Sequence, residues 1–289
     1  MRRVNARGSL LFLLTACGAF HDEHSPEKSS KRLDIAKDYL KKHELEAAEH
    51  ECGIAIGLNP QNDEAYVTRG LVALVHARDD QSTLEINSCL TGIDAEATRK
   101  DMDAALLKAD VDFEKATHIS PDYGEAWADR GVVHSLLEDY ANSEQYLKKG
   151  LELTPRLIDP GLTRANLGWA QFHQNRLVDA AGQLQQALQF QPKMCVANYR
   201  LARVYYANQE WDKAAELFQA VSEDTTCGSQ EASYYLMKTE MQRGLIDKAR
   251  VARDACLKLS IKSCIAAQCR ADGASLGASA PATSAGTSP

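Results

Sequence analysis

The chain has 289 residues, 44% of them hydrophobic and 25% charged, with a formal net charge of −7. Its 33 basic residues are outnumbered by 40 acidic ones and form no stripe, which excludes nucleic acid as a partner and argues against anionic phosphates. It carries no GxSxG, HExxH, phosphate-binding glycine loop or Rossmann glycine cluster, so the sequence points away from an enzyme: no catalytic residue, small-molecule substrate or metal site is expected.

Residues 1–16 read as an export signal. Arg2, Arg3 and Arg7 form a basic start, Leu10 to Leu14 an apolar core, and Leu14-Thr15-Ala16-Cys17 matches the bacterial lipobox, at which a dedicated peptidase cuts before a diacylated cysteine. The apolar run is too short to span a bilayer. The expected anchor is therefore lipid on Cys17 (diacylglycerol and N-acyl, typically palmitate), with each buried methylene contributing about 0.8 kcal/mol. A plain signal peptide is the alternative. Gly18 stands where enteric lipoproteins retained at the inner membrane carry aspartate, so the expected destination is the periplasmic face of the outer membrane. Residues 17–30 are polar and unpatterned and read as a tether. Losing three arginines with the signal leaves 30 basic against 40 acidic residues, consistent with an acidic extracytoplasmic body.

From residue 31 a repeat sets in. Pro60, Pro121, Pro155 and Pro192 are separated by 61, 34 and 37 residues. Placing each proline at position 32 aligns Ala36, Gly70, Gly131, Gly168 and Ala202 at position 8, Cys52, Phe113, Leu147, Leu184 and Phe218 at position 24, and Ala55, Ala116, Gly150 and Ala187 at position 27. This pattern resembles the tetratricopeptide repeat, a helix-turn-helix unit. The physical reading is close helix packing: a small residue on the first helix lets the second approach, large side chains fill the flanks, and proline stops the second helix. Such pairs cannot bury their faces alone and must stack. The expected fold is all-α, a superhelical solenoid of about six helix-turn-helix repeats over residues 31–260.

The second copy is interrupted by about 27 extra residues, roughly 78–104, rich in Asp, Ser, Thr and Asn. They read either as a functional or mobile loop or as a surface insertion that lengthens the second helix. The sixth copy, Ser229 to Leu259, keeps Leu236, Met237, Ala249 and Cys256 in register without a closing proline, as a capping repeat does. A short cap is expected over 261–270, and the Ala/Ser-rich stretch 271–289 reads as a disordered tail.

Seven cysteines remain beyond Cys17, which in an exported chain implies disulfides. Cys195, Cys227, Cys256 and Cys264 all fall on one edge of the solenoid. Cys195 with Cys227 would staple a helical hairpin and Cys256 with Cys264 would pin the cap; Cys227 with Cys256 is the alternative. Cys52 takes a buried position and reads as a free core thiol, although Cys89 in the insertion could reach it. With no CxxC pair and scattered histidines, a metal site is not expected.

Solenoids of this kind bind through the concave face, lined by the first helix of each repeat. Positions 5, 9, 12 and 13 give Leu71, Leu74, Val132, Leu136, Trp169, Phe172, Tyr199, Arg203 and Tyr206 as the candidate partner-binding groove. About half of these also serve as packing between repeats. The strip is apolar and aromatic with one arginine, suited to an amphipathic or extended apolar protein segment. A lipobox followed by six such repeats, with cysteines in the later ones, is similar to the pilotin lipoproteins of type IV pilus systems, the Tgl, PilW and PilF group. That resemblance implies a monomeric outer-membrane lipoprotein that binds secretin subunits and promotes their multimerisation into the pore through which the pilus passes. The insertion and the tail depart from that group's pattern. Two other readings remain: a cell-envelope scaffold for peptidoglycan enzymes or outer-membrane assembly factors, and a cytoplasmic co-chaperone.

Overall fold

The computed structural model describes residues 25–87, 95–227 and 229–277, without the side chains of 85–87. The lipobox, Cys17 and Cys89 lie outside them, as do residues 278–289 of the expected tail. Thirteen α-helices and two short 3-10 turns make up these segments, with no strand among them. The helices pair in chain order: α1 (Pro26–Lys41) with α2 (Leu45–Leu58), α3 (Asp63–Asn87) with α4 (Ala95–Ile119), α5 (Gly124–Leu136) with α6 (Tyr140–Glu152), α7 (Pro160–His173) with α8 (Leu177–Phe190), α9 (Cys195–Ala207) with α10 (Trp211–Glu223), and α11 (Gln230–Gln242) with α12 (Ile246–Leu259). A last helix, α13 (Cys264–Asp272), closes the stack. No described helix is long and apolar enough to cross a membrane.

The proline rule holds physically. Pro60, Pro121 and Pro192 each stand two residues beyond the last residue of α2, α4 and α8, and Pro155 stands three beyond that of α6. The small residue at position 8 faces mainly the large side chain at position 24. A Cβ on Gly131 would sit 2.6 Å from Leu147 Cγ, and one on Gly168 would sit 2.8 Å from Leu184 Cγ and 3.0 Å from the Ala180 carbonyl. Phe113, Leu147, Leu184 and Phe218 are fully buried by that approach. Between the two helices of each repeat except the second, one residue is left-handed: His43, Glu138, Asn175, Gln209 and Gly244, with φ of 60–72°. Four of the five are not glycine, which is why composition does not mark these turns.

Three boundaries differ from the sequence reading. The repeat array begins at Pro26 rather than 31, because Ser25 caps the helix, accepting from Lys28 N, and Pro26 fits its first turn. The insertion 78–104 is not confined to a loop or to one helix: α3 runs on to Asn87 and α4 starts at Ala95, so both helices are 25 residues long. Ordered structure also continues past 271. α13 ends at Asp272, a 3-10 turn spans Ala274–Leu276, and Leu276 is buried against the last repeat.

Candidate partner-binding groove

The first helices of successive repeats touch one another, α5 with α7, α7 with α9, and α9 with α11, which puts them on the inside of the curve. Their inward faces carry an aromatic ladder. On α7, Trp169, Phe172 and His173 share one face by helical spacing. Trp169 stacks on Phe172 at 5.0 Å between ring centres, His173 meets Trp169 edge-on at 4.5 Å, and Tyr140 stacks on His173 at 4.3 Å. Burial, reinforced by the positive charge of Arg203, holds the His173 imidazole below its usual range.

Arg203 on α9 joins the α7 rings to those of α11. Its guanidinium lies 4.0 Å from the Tyr235 ring centre and 5.7 Å from those of Trp169 and Phe172, and its Nη1 donates to the Tyr199 hydroxyl at 2.9 Å. Burial first, and then the negative charge of Glu231, push the Tyr199 hydroxyl far above the usual phenol range. Tyr206 continues the ladder, edge-on to Tyr235 at 5.5 Å and to Trp211 at 5.2 Å. Such face-and-edge contacts with cations add roughly 0.5–1.5 kcal/mol each beyond area burial.

Beside the ladder lies an open cavity of about 690 Å³. Val132 and Leu136 of α5 and Trp169 of α7 line it, together with Arg78 and Gln81, which sit on the part of α3 that the insertion adds. Asn166 and Arg200 complete the wall, with Arg200 Nη1 donating to Asn166 Oδ1 at 2.8 Å.

The groove candidates from sequence thus divide. Val132, Leu136 and Trp169 line the cavity, and Phe172, Tyr199, Arg203 and Tyr206 form the ladder. Leu74 is corrected to core: it shares one buried cluster with Ala105 and Leu106 of α4, and Leu71 packs half-buried on the same cluster. Sequence reasoning missed Asn166, Arg200 and Tyr235. All three occupy position 6, one residue before the position that fills the helix contact, so their column was present in the register. Arg78 carried no such signal, because only the course of α3 brings it to the groove.

The cysteine pairing is corrected in part. Cys195 and Cys227 form a disulfide that ties the start of α9 to the residues just past α10. Cys256, however, bonds Cys269 rather than Cys264. Ser263 caps a new helix, accepting from Ala266 N, so Cys264 opens α13 and Cys269 follows five residues later on the opposite side, facing the buried Cys256. Cys264 is itself disulfide-bonded, to a partner outside the described residues. Cys52 is a buried free thiol, which burial pushes up to about 12.

Comparison with known proteins places this geometry. A tetratricopeptide-repeat family model matches residues 171–226. Among solved structures, PilW, described as a widely conserved type IV pilus biogenesis factor, superposes with a TM-score of 0.65 at 19% identity, over 81% of this chain and 94% of PilW. PilF of Pseudomonas aeruginosa superposes at 0.62 with 15% identity, over 85% and 98%. YrrB, a TPR protein with an unusual peptide-binding site, gives 0.50 with 17% identity, over 76% and 97%. No curated protein matches by sequence. The chain is a tetratricopeptide-repeat solenoid, and it resembles the PilW and PilF proteins of type IV pilus systems in fold.

Proposed function

We propose that this chain is a non-catalytic binding protein of type IV pilus biogenesis, lipid-anchored through Cys17 at the periplasmic face of the outer membrane. It holds secretin subunits in its concave groove and promotes their multimerisation. The observation that carries the reading is the continuous aromatic ladder on the inner helices of a solenoid whose fold spans nearly the whole of PilW and PilF. Mechanistically, the groove covers an apolar surface of an unassembled subunit while the anchor fixes where subunits gather. No chemistry beyond binding is needed, and no cofactor other than the acyl anchor.

The test is a deletion strain whose membranes are fractionated and probed for heat-resistant secretin multimers. Loss of multimers with monomer remaining is expected, and Trp169→Ala and Tyr206→Ala should each weaken rescue. Normal multimers and normal pili would overturn the reading in favour of a general envelope scaffold.

A further inference from the structure

Most arginines on the solenoid are tied to acids. Arg69 bonds Asp112 bidentately at 2.8 and 2.6 Å, Arg130 reaches Asp110 and Glu114, and Arg176 reaches Glu144 and Asp179. In the groove the pattern breaks. Among the described residues, Arg78, Arg200 and Arg203 have no carboxylate within ion-pair distance, although the chain as a whole is acidic. Arg200 is the costliest of them: burial, with the like charge of Arg78 added, lowers its guanidinium to about 10. Its neighbours are a neutral amide, Asn166, and the Trp169 ring at 5.3 Å. Asp129, the acid that feels Arg78, forms no ion pair with it. One oxygen of Asp129 is shut from solvent without a hydrogen-bond partner, and burial holds its carboxyl well above the usual range. Glu138 lines the same cavity but is exposed.

Two like charges lining one cavity, one of them half-buried, are stabilised when an anion enters between them. We propose that the groove's occupant is an acidic segment of a partner protein, whose Asp or Glu side chains pair with Arg78 and Arg200 while an apolar side chain between them packs on Val132, Leu136 and Trp169. This names the chemistry of the segment bound under the function proposed above and rests on that reading. Arginine suits the role because its planar fork takes a carboxylate bidentately and stacks on aromatic faces. The chain's own C-terminal segment is a poorer occupant, since residues 278–289 contain no Asp or Glu. The apolar wall between the arginines distinguishes a side-chain-bearing segment from a bare anion.

The experiment selects a random dodecapeptide phage library on the full lipid-free chain, with Arg78→Gln, Arg200→Gln and the double variant as parallel targets. Peptides enriched in Asp and Glu around an apolar residue are expected on the parent chain. Each single variant should bind synthetic copies of them at least fivefold more weakly, and the double variant at least tenfold, with unchanged circular dichroism; Arg200→Lys should recover part of the loss. Uncharged or basic peptides, no selected peptide at all, or acidic peptides indifferent to the double variant would each overturn the proposal. So would Arg78- and Arg200-dependent binding of phosphatidylglycerol vesicles without peptide binding, which would assign the groove to lipid. Displacement of the selected peptides by a synthetic 278–289 peptide at equal affinity would assign it to the chain's own tail and would likewise overturn the proposal. The pilus reading is judged separately: multimer loss in the deletion strain stands whichever peptide wins.

Discussion

The two halves of the solenoid solve the same packing problem with different bonds. The first three repeats are held by paired side chains: Arg69 with Asp112, Arg130 with Asp110 and Glu114, and His134 between Asp110 and Asp139, and among the described residues their cysteine, Cys52, is a free thiol. The last two repeats and the cap are stapled covalently, Cys195 to Cys227 and Cys256 to Cys269. The contrast follows from position. Arg130 and His134 of α5 reach Asp110 of α4 across a repeat boundary, whereas one bridge closes the fifth repeat on itself and the other ties the last repeat to the cap, the end of the stack that has no further repeat to pack on.

The sharpest way to break the contrast is to remove Asp112. It is buried, and its loss leaves the half-buried Arg69 without its bidentate partner, so Asp112→Ala is expected to destabilise the N-terminal repeats by about 3 kcal/mol. Hydrogen exchange should show the loss in α3 and α4 and leave α11 to α13 protected. Removing the staples should do the reverse. Cys195→Ser with Cys227→Ser, or Cys256→Ser with Cys269→Ser, is expected to cost roughly 2–4 kcal/mol per bridge and to raise exchange in the C-terminal repeats alone. A disulfide map should return both bridges, identify the cysteine bonded to Cys264, and find Cys52 unreactive to thiol reagents until the chain unfolds.

Next in size is Gly168→Ala, which pushes a methyl against Leu184 and the Ala180 carbonyl in the repeat next to the stapled ones. A loss of about 1–3 kcal/mol in urea unfolding is expected. Acid probes the junction between halves. Burial alone would raise the Glu144 carboxyl, but hydrogen bonds from Lys148, Arg176, Gln171 and Gln174 hold it at about 2. With a folded value below the ordinary 4.5, its contribution is complete above that pH and fades as pH falls toward about 2. Glu144→Gln should therefore flatten the decline of melting temperature over that window. His134 works in the opposite sense. Hydrogen bonding to Asp110, and to Asp139 after it, raises the imidazole above 6.5, so its contribution is complete below 6.5 and is lost as pH rises through the folded value. The smallest effect is a gain: Gln209→Gly relieves a left-handed residue and should stabilise by about 0.5 kcal/mol in the same urea titration.

The repeat register was legible because position 8, position 24 and the closing proline report contacts local to one hairpin. Gly131 against Leu147 is a statement about residues sixteen apart, and such spacing survives in a single sequence. What was not legible depended on distant elements. Leu74 reads as a groove residue until the packing of α3 on α4 buries it, and Cys264 reads as the partner of Cys256 until Ser263 starts a helix that turns Cys269 inward. Arg200 and Asn166 stood in a visible column, yet their meaning came from Arg78, carried to them by a helix whose added length looked in the sequence like polar loop.

That same helix has a mechanical consequence. α13, at the end of the stack, touches α3 in the second repeat, and Arg78 of α3 faces Arg200 in the fifth. A repeat array free at both ends behaves as a spring, extending and fraying one coil at a time because each unit feels its immediate neighbours alone. Here the last coil is clasped to the second. Pulling the ends apart must first undo that clasp, so forced extension is expected to begin with one rupture between α13 and α3 before the coils yield in turn.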